Sequence, residues 1–421
     1  MLACRAWKIS LAWRYSPGHR AWLGAEAQRL LSFYESAADW DGGGFFWLDE
    51  AGRPVTDRPK ELWINARLVH CFALGSLLGR PGCGLLVEHG LRGLRERFRD
   101  ARYGGWYAAV GPSRPDGTRT PADPRKQAYG HAFVLLAACT AAQAGHDTDD
   151  LIQEASDVIA ARMLDRPHGL YVEEWDRGWA VCSDYRGQNA NMHLAEAFLA
   201  AADATGDEGY AGRAARIAER IVGEFAAADG WRVPEHYDSA WRPVPDFNAD
   251  RPRDLFRPYG TIPGHSLEWA RLLIQMHERP GMQGAWMPGA AVDLFGRAVA
   301  DAWDDQRTGF AYTLGADGAV SVADRFHWVI AEAIGAAAYL HAATGDASYD
   351  RWYQRFWDHA ALYVLDRTLG SWRHELTPEN VPGSVAWQGK PDLYHALQAT
   401  LFGRIAPAPG LGAALAAENR P

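Results

Sequence analysis

Histidines recur at comparable positions in segments that lie far apart in the sequence. Four segments place a histidine near the predicted start of a helix, and a fifth places an arginine there: His131, His193, His265, His395 and Arg67. A neutral imidazole donates and accepts protons near neutral pH, so several of them around one cavity predict acid–base catalysis. A lone buried histidine is commonly satisfied by a neighbour, but four in one cavity are costly to bury without a function.

Carboxylate, guanidinium and amide groups accompany these histidines. His265 and Glu268 are three residues apart and share a helix face, so Glu268 is predicted to orient the imidazole; a surface pair is the alternative. Arg67 suits sugar hydroxyls or the oxyanion of an enediolate, with a structural salt bridge as the alternative. Asn189 either caps its helix or binds a hydroxyl.

Several other chemistries find little support. The sequence has no HExxH motif, no cysteine–histidine ligand spacing, no GxSxG motif and no glycine-rich phosphate loop. Dispersed histidines could still trap a divalent ion. A two-carboxylate glycosidase would have Glu268 and Glu332 as candidates. The excess of histidines favours instead the movement of a C–H proton beside a carbonyl.

The composition is that of an acidic, aromatic-rich chain. Its net charge is -9, which argues against a nucleic-acid partner, and no apolar run has the length of a membrane span. Nineteen Trp and 16 Tyr suit the C–H faces of sugars, although most can serve packing. Five cysteines without a CxxC spacing predict reduced thiols and a cytoplasmic location, and no signal peptide is evident.

A glycine followed by aromatic residues recurs six times along the 421-residue chain. The intervals are 61, 64, 61, 79 and 61 residues, and the glycines are Gly44, Gly105, Gly169, Gly230, Gly309 and Gly370. Apolar residues at i, i+3 and i+4 spacing fill each interval with two predicted helices. The longest interval contains a Pro- and Asp-rich insertion at 243–263.

The repeat predicts twelve helices. Their ranges are 19–37, 61–79, 86–99, 127–144, 149–163, 189–204, 209–226, 264–278, 290–304, 326–344, 347–365 and 391–403. Because the first and last helices are both amphipathic, a closed toroid is favoured over an open solenoid. We predict an all-α fold, an (α/α)6 barrel with short β-hairpins at one end and the histidine-bearing helices inside. One catalytic domain would cover 16–421, after an N-terminal extension at 1–15.

Four separated motifs resemble one known family. Trp63–Arg67, Asn189–Ala197, Pro263–Trp269 and Lys390–Gln398 are similar to segments of the N-acylglucosamine 2-epimerase superfamily. Together the motifs cover nearly the whole chain in the right order. Within the superfamily they are most similar to the D-mannose and sulfoquinovose isomerases.

The resemblance implies a metal-free and cofactor-free mechanism. The sugar ring opens, a proton leaves C2, a cis-enediolate forms and a proton returns at C1. By motif position His265 and His395 are the acid–base pair, with Glu268 supporting His265; which of the two opens the ring stays undecided. The resemblance implies that Arg67, His193 and Arg257 bind the substrate oxygens. Asn189, Trp63, His131 and Glu332, selected from their positions near the helix starts, are predicted to bind substrate as well.

The resemblance favours interconversion of D-mannose and D-fructose. Sulfoquinovose isomerisation is an alternative, as is 2-epimerisation of an N-acylglucosamine or cellobiose type. A non-catalytic carbohydrate-binding protein with the same toroidal fold is an alternative from a different functional class. The expected partner is a monosaccharide, with no nucleic acid and no membrane, and the expected state is a monomer or homodimer.

Overall fold

Helices dominate the fold. The computed structural model describes residues 12–112, 120–282 and 284–419. Thirteen α-helices occur in these residues: α1 (Pro17–Tyr34), α2 (Leu62–Leu77), α3 (Cys83–Gly93), α4 (Ala128–Gln143), α5 (Asp149–Val158), α6 (Gln188–Thr205), α7 (Glu208–Ala218), α8 (Pro263–His277), α9 (Met287–Ala302), α10 (His327–Thr344), α11 (Ala347–His359), α12 (Tyr394–Phe402) and α13 (Leu411–Glu418). The first twelve coincide with the predicted helices, which confirms the mainly helical class. Helix α13 was not predicted, because its Ala- and Leu-rich sequence lacks a polar face.

Short strands lie where the inner helices begin. The fifteen strands of the described residues are β1 (Trp47–Leu48), β2 (Pro54–Val55), β3 (Lys60–Glu61), β4 (Ala109–Val110), β5 (Pro121–Asp123), β6 (Lys126–Gln127), β7 (Leu164–Asp165), β8 (Leu170–Tyr171), β9 (Glu174–Trp175), β10 (Arg186–Gly187), β11 (His236–Tyr237), β12 (Thr313–Leu314), β13 (Val320–Val322), β14 (Arg325–Phe326) and β15 (Glu375–Leu376). Strands β3, β6, β10 and β14 run directly into α2, α4, α6 and α10. Each pairs antiparallel with a strand from the next repeat, so neighbouring repeats are joined at this end.

The helices divide into an inner and an outer set. Most residues of α2, α4, α6, α8, α10 and α12 are buried, whereas the outer helices bury one face. Each inner helix contacts the next in chain order, and α12 also contacts α2. Small residues such as those of Ala336–Ala338 permit the close approach of inner helices. Four outer helices end in π-helical turns: Leu94–Phe98, Ile159–Met163, Glu219–Ala226 and Ala360–Val364.

The six glycines of the sequence repeat share one backbone conformation. All have positive φ: 75° at Gly44, 66° at Gly105, 70° at Gly169, 62° at Gly230, 96° at Gly309 and 91° at Gly370. Residues with a Cβ rarely adopt this left-handed region. The repeated glycine therefore marks the turn that returns the chain from an outer helix towards the next inner helix.

The remaining segments pack around these helices. Trp13–Tyr15, the end of the predicted N-terminal extension, forms a 3-10 turn whose Trp13 amide donates to Asp350 at 2.8 Å, while residues 1–11 lie outside the described residues. The four described cysteines are free thiols, and Cys4 lies outside the described residues. In the described part of the chain, every helix falls short of the length and apolar character that a membrane crossing needs.

Candidate active site

The first turns of the six inner helices surround one cavity, named here the inner cavity. Its volume is about 480 Å³ with its opening to solvent included, and its lining residues are Trp63, Arg67, Tyr129, Asn189, His193, Leu255, Phe256, Ile262, His265, Glu268, Tyr312, Trp328, Trp387, Asp392 and His395. Seven of the ten site residues selected from the sequence are in this set: Trp63, Arg67, Asn189, His193, His265, Glu268 and His395. The fold thus brings together residues from every inner helix.

His395 belongs to a buried histidine–glutamate pair. Its Nδ1 lies 2.8 Å from Glu332 Oε1, and Glu332 stands behind the imidazole instead of lining the inner cavity. The prediction that Glu332 binds substrate is therefore corrected: its carboxylate accepts the Nδ1 proton and leaves Nε2 free to act as a base. Burial lowers the pKa of His395 well below its usual range, and the Arg67 cation adds to this effect, so the ring is neutral.

His265 belongs to a second pair, with a different glutamate from the predicted one. Its Nδ1 lies 2.9 Å from both carboxylate oxygens of Glu235. Gln188 donates to Glu235 at 2.9 Å and so holds the carboxylate in place. Glu235 follows the glycine hairpin of the fourth repeat, next to β11. The predicted support of His265 by Glu268 is wrong, because Glu235 already occupies the Nδ1 side of the ring.

Glu268 instead faces His193 and the inner cavity. Its Oε1 lies 3.7 Å from His193 Nδ1, and neither of its oxygens has a hydrogen-bond partner among the described residues. Burial raises the pKa of Glu268 well above its usual range, and the neighbouring Glu332 raises it further. Glu268 is therefore suited to remain protonated and to donate to a substrate oxygen. Burial also lowers the pKa of His193 to about 4.

Arg67 supplies the permanent positive charge of the cavity wall. Its guanidinium donates to Asp392 at 2.9 Å and to the Tyr129 hydroxyl at 2.9 Å. It also lies 4.3 Å above the Phe133 ring. Burial is the largest single effect and disfavours the charge, but Asp392, Tyr129, Tyr394 and Glu268 together more than offset it and raise the pKa of Arg67. The cation is thus fixed in a position to stabilise a developing oxyanion.

Aromatic rings form much of the remaining wall. The Trp328 ring lies 5.0 Å from the His265 ring and 5.7 Å from the His395 ring, between centroids, so one indole contacts both imidazoles. Trp387 lies 6.1 Å from Trp63 on the other side. These flat surfaces suit the C–H face of a sugar ring.

Several lining residues were not predicted as site residues. They are Tyr129, Leu255, Phe256, Ile262, Tyr312, Trp328, Trp387 and Asp392. Asp392 and Trp328 lie inside sequence segments that carry predicted site residues, and adjacency is a signal that could have found them. Phe256 and Leu255 come from the 243–263 insertion, whose path over the cavity no local pattern indicates.

His131 lies outside the inner cavity. Its Nδ1–H donates to the Gln127 carbonyl at 2.7 Å, and its Nε2 accepts the Trp106 amide at 3.2 Å. Burial lowers the pKa of His131 to about 3, so the ring is neutral. Both ring nitrogens are used by the backbone. The prediction that His131 binds substrate is therefore corrected to a structural role.

Replacing His131 with alanine is expected to lower stability and leave catalysis unchanged. The variant loses two buried hydrogen bonds and leaves a cavity, which together cost about 2–4 kcal/mol. Urea unfolding measures the loss, and steady-state kinetics of the folded enzyme should stay within about threefold of wild type. A large fall in kcat with unchanged stability would return His131 to the site.

Arg257 and Asn189 border a second, larger space, the outer cavity. Its volume is about 1220 Å³ with its opening to solvent included, and it shares Trp63, Tyr129, Asn189 and Phe256 with the inner cavity. Arg257 lines only the outer cavity, 3.5 Å from Glu174 and 4.1 Å above the Tyr185 ring. That Arg257 binds substrate stays a prediction, because the residue lines a space that shares its wall with the inner cavity. Asn189 Oδ1 has no partner among described residues, so the side chain does not cap α6.

Two groups of buried residues bring possible metal ligands within 4.8 Å of one another. The groups are His193, Glu196 and Glu268, and Glu268, Glu332 and His395. The Arg271 guanidinium already lies 2.9 Å from Glu332, 3.2 Å from Glu196 and 3.6 Å from Glu268. A divalent ion at either group would face this charge at close range.

Comparison with known proteins identifies the family. Residues 43–399 match the model of the N-acylglucosamine 2-epimerase (GlcNAc 2-epimerase) family. The chain therefore belongs to this family, as the sequence motifs indicate.

Two similar relatives and one solved structure are D-mannose isomerases. A D-mannose isomerase of Thermobifida fusca is 47% identical over 96% of this chain and 98% of its own length. A D-mannose isomerase of Pseudomonas cannabina pv. alisalensis is 41% identical over 96% of this chain and 97% of its own length. A crystal structure of a D-mannose isomerase has a TM-score of 0.86 at 32% identity, covering 92% of this chain and 99% of that one.

Proposed function

We propose that this protein is an aldose–ketose isomerase that interconverts D-mannose and D-fructose. The observation that carries the proposal is the pair of imidazoles, His265 and His395, each backed by a carboxylate and both in contact with Trp328 in one cavity. Two such groups can move a carbon-bound and an oxygen-bound proton within one substrate. The D-mannose isomerases that match almost the whole chain support the same reaction.

His395 is the better candidate for the base that acts on C2. A base must be neutral before it accepts a proton, and the buried His395 has a pKa well below its usual range. Its Nε2 removes the C2 proton of the open-chain aldose, C1 and C2 become doubly bonded, and the carbonyl electrons move to O1. The same nitrogen then returns the proton to C1, which yields the ketose.

His265 is proposed to carry the oxygen-bound protons. Opening the ring requires a proton on the ring oxygen and removal of one from O1, and the later step moves a proton from O2 to O1. An imidazolium formed on His265 would be stabilised by Glu235 at 2.9 Å. Arg67 is proposed to stabilise the enediolate oxyanion, and Glu268 to donate a hydrogen bond to a substrate oxygen.

The charge of the inner cavity favours a neutral sugar. Of the described residues that line it, Arg67 alone is permanently cationic, and Asp392 neutralises it at 2.9 Å. A sulfonate in this cavity would have to share Arg67 with Asp392 and with the enediolate oxyanion, and burying a charge without a cation of its own is costly. Sulfoquinovose is therefore the weaker substrate candidate.

The finer features of the fold and assembly are part of the proposal. The unbroken order of contacts from α2 to α12 and back to α2 supports a closed (α/α)6 barrel. The match of one family model over 43–399 supports one catalytic domain. The monomeric or homodimeric state, the cytoplasmic location and the absence of a metal or cofactor stay predictions.

Incubation with D-mannose in D2O, followed by NMR, tests the reaction. We expect D-fructose with deuterium at C1, because the proton held by His395 exchanges with solvent before it returns. Sulfoquinovose should give a kcat/KM at least about tenfold lower. D-glucose labelled at C2 would indicate a 2-epimerase instead, and binding without any product would indicate a carbohydrate-binding protein.

A further inference from the structure

Arg271 is a fully buried cation that contacts carboxylates from three inner helices. Its guanidinium lies 2.9 Å from Glu332 on α10, 3.2 Å from Glu196 on α6 and 3.6 Å from Glu268 on its own helix, α8. It is 1% exposed and does not line the inner cavity. Arg271 therefore lies directly behind the residues that face the substrate.

The three glutamates are held unequally. Glu332 and Glu196 accept hydrogen bonds from Arg271, and Glu196 also accepts one from the Tyr394 hydroxyl. Glu268 receives no hydrogen bond from any described residue. One guanidinium beside three buried carboxylates leaves an excess of negative charge, and a proton on one carboxyl group relieves it.

We propose that Arg271 is a positioning residue that keeps Glu332 ionised behind His395 and leaves the proton on Glu268. The inference rests on the proposed isomerase function. An ionised Glu332 accepts the Nδ1 proton of His395 and keeps Nε2 basic. A protonated Glu268 gives the inner cavity a neutral donor for a substrate oxygen. One buried cation thus assigns opposite protonation states to two neighbouring glutamates.

The charged groups around Glu332 determine how the pH dependence of the rate changes when Arg271 is removed. Arg271 faces Glu332 from α8, His395 from α12, and His193 and Glu196 from α6, with Glu268 adjacent. Tyr394 on α12 donates to Glu196. Burial raises the pKa of Glu332, and the guanidinium opposes this rise. Without Arg271, a proton on Glu332 becomes more favourable. His395 then loses its anionic acceptor, and the acid limb of the rate profile moves to higher pH.

A space below Arg271 makes chemical rescue feasible. This space, named here the lower cavity, lies at the opposite ends of the inner helices, beneath α13, and its volume is about 400 Å³ with its opening to solvent included. Arg271, Glu196 and Phe402 are among its lining residues. In an alanine variant, a free guanidinium ion would find an acidic site of matching shape there.

The test compares Arg271→Ala with Arg279→Ala in mannose isomerisation. Arg279 is also ion-paired, with Asp203 and Glu208, but contacts no residue of the inner cavity. For Arg271→Ala we expect kcat to fall about 100-fold and the midpoint of the acid limb of the pH–rate profile to move up by about one pH unit or more. Low-millimolar guanidinium chloride should restore activity. Arg279→Ala should show none of these changes.

Turnover of D-mannose by the wild-type protein, measured in parallel, tests the proposed function separately. If the wild type is active, several results with the variants would still overturn the proposal for Arg271. One is a kcat of Arg271→Ala within about threefold of wild type. Another is a folded variant that is inactive, has an unchanged acid limb and is not rescued. If the alanine variant does not fold, Arg271→Lys decides the matter. The acid limb of the pH–rate profile of Arg271→Lys should match that of wild type, and a shift of about one pH unit would contradict the inference.

Discussion

Replacing His395 with alanine is expected to lower kcat for D-mannose at least about 10³-fold, the largest single effect predicted for this protein. The substitution removes the proposed C2 base, and neither His265 nor Glu268 can take its place, because both are fixed on α8. Incorporation of deuterium at C1 in D2O should fall in parallel. Initial rates and NMR of the product measure both quantities.

His131→Ala is the matched control for this variant. Both histidines are buried in the first turn of an inner helix, but only His395 reaches the inner cavity. His131→Ala should lose stability and keep its turnover, whereas His395→Ala should lose turnover and keep its helical circular dichroism. Loss of helical signal in His395→Ala would point to a structural role for that imidazole.

The helices and their order could be predicted because both follow local rules. Apolar residues at helical spacing give each element, and the glycine with positive φ recurs at each return turn. The inner set could also be recognised, since its helices are apolar on all sides and are therefore buried. Helix α13 escaped the prediction because eight mostly apolar residues give no periodic signal.

Which histidines face the cavity depends on their position in the helix. In four inner helices the second and sixth residues point to the same side: Trp63 and Arg67, Tyr129 and Phe133, Asn189 and His193, Trp328 and Glu332. His131 is the fourth residue of α4, about 200° around the helix from Tyr129. The observed helix starts, Ala128 and Gln188, make His131 the fourth residue and His193 the sixth, whereas the predicted starts at 127 and 189 gave both histidines the fifth position and could not separate them.

The partners of the catalytic candidates could not be derived in this way. Glu235 is 30 residues before His265, and Glu332 is 63 residues before His395. A helical-face rule finds only pairs three or four residues apart, so it selected Glu268 for His265. In the structure, the carboxylate that contacts His265 is Glu235, which comes from a hairpin. Glu268 faces His193 and Arg271 instead.

The corrected pairing leads to the second large effect, that of Glu235→Gln. We expect kcat to fall about 10²- to 10³-fold, because the neutral amide cannot stabilise an imidazolium on His265 and no longer fixes its tautomer. The effect should be concentrated in kcat, with KM changing less, since Glu235 does not line the inner cavity. Steady-state kinetics with D-mannose measure both parameters.

Glu174→Gln is the control for this effect. Glu174 is a carboxylate near the outer cavity that pairs with Arg125 and Arg257 and contacts neither catalytic imidazole. Its kcat should stay within about threefold of wild type. Should Glu235→Gln also stay within that range, His265 would need no charged partner, and the transfer of oxygen-bound protons would have to be assigned elsewhere. A fall in kcat confined to Glu235→Gln would show that the hairpin glutamate completes the second acid–base pair.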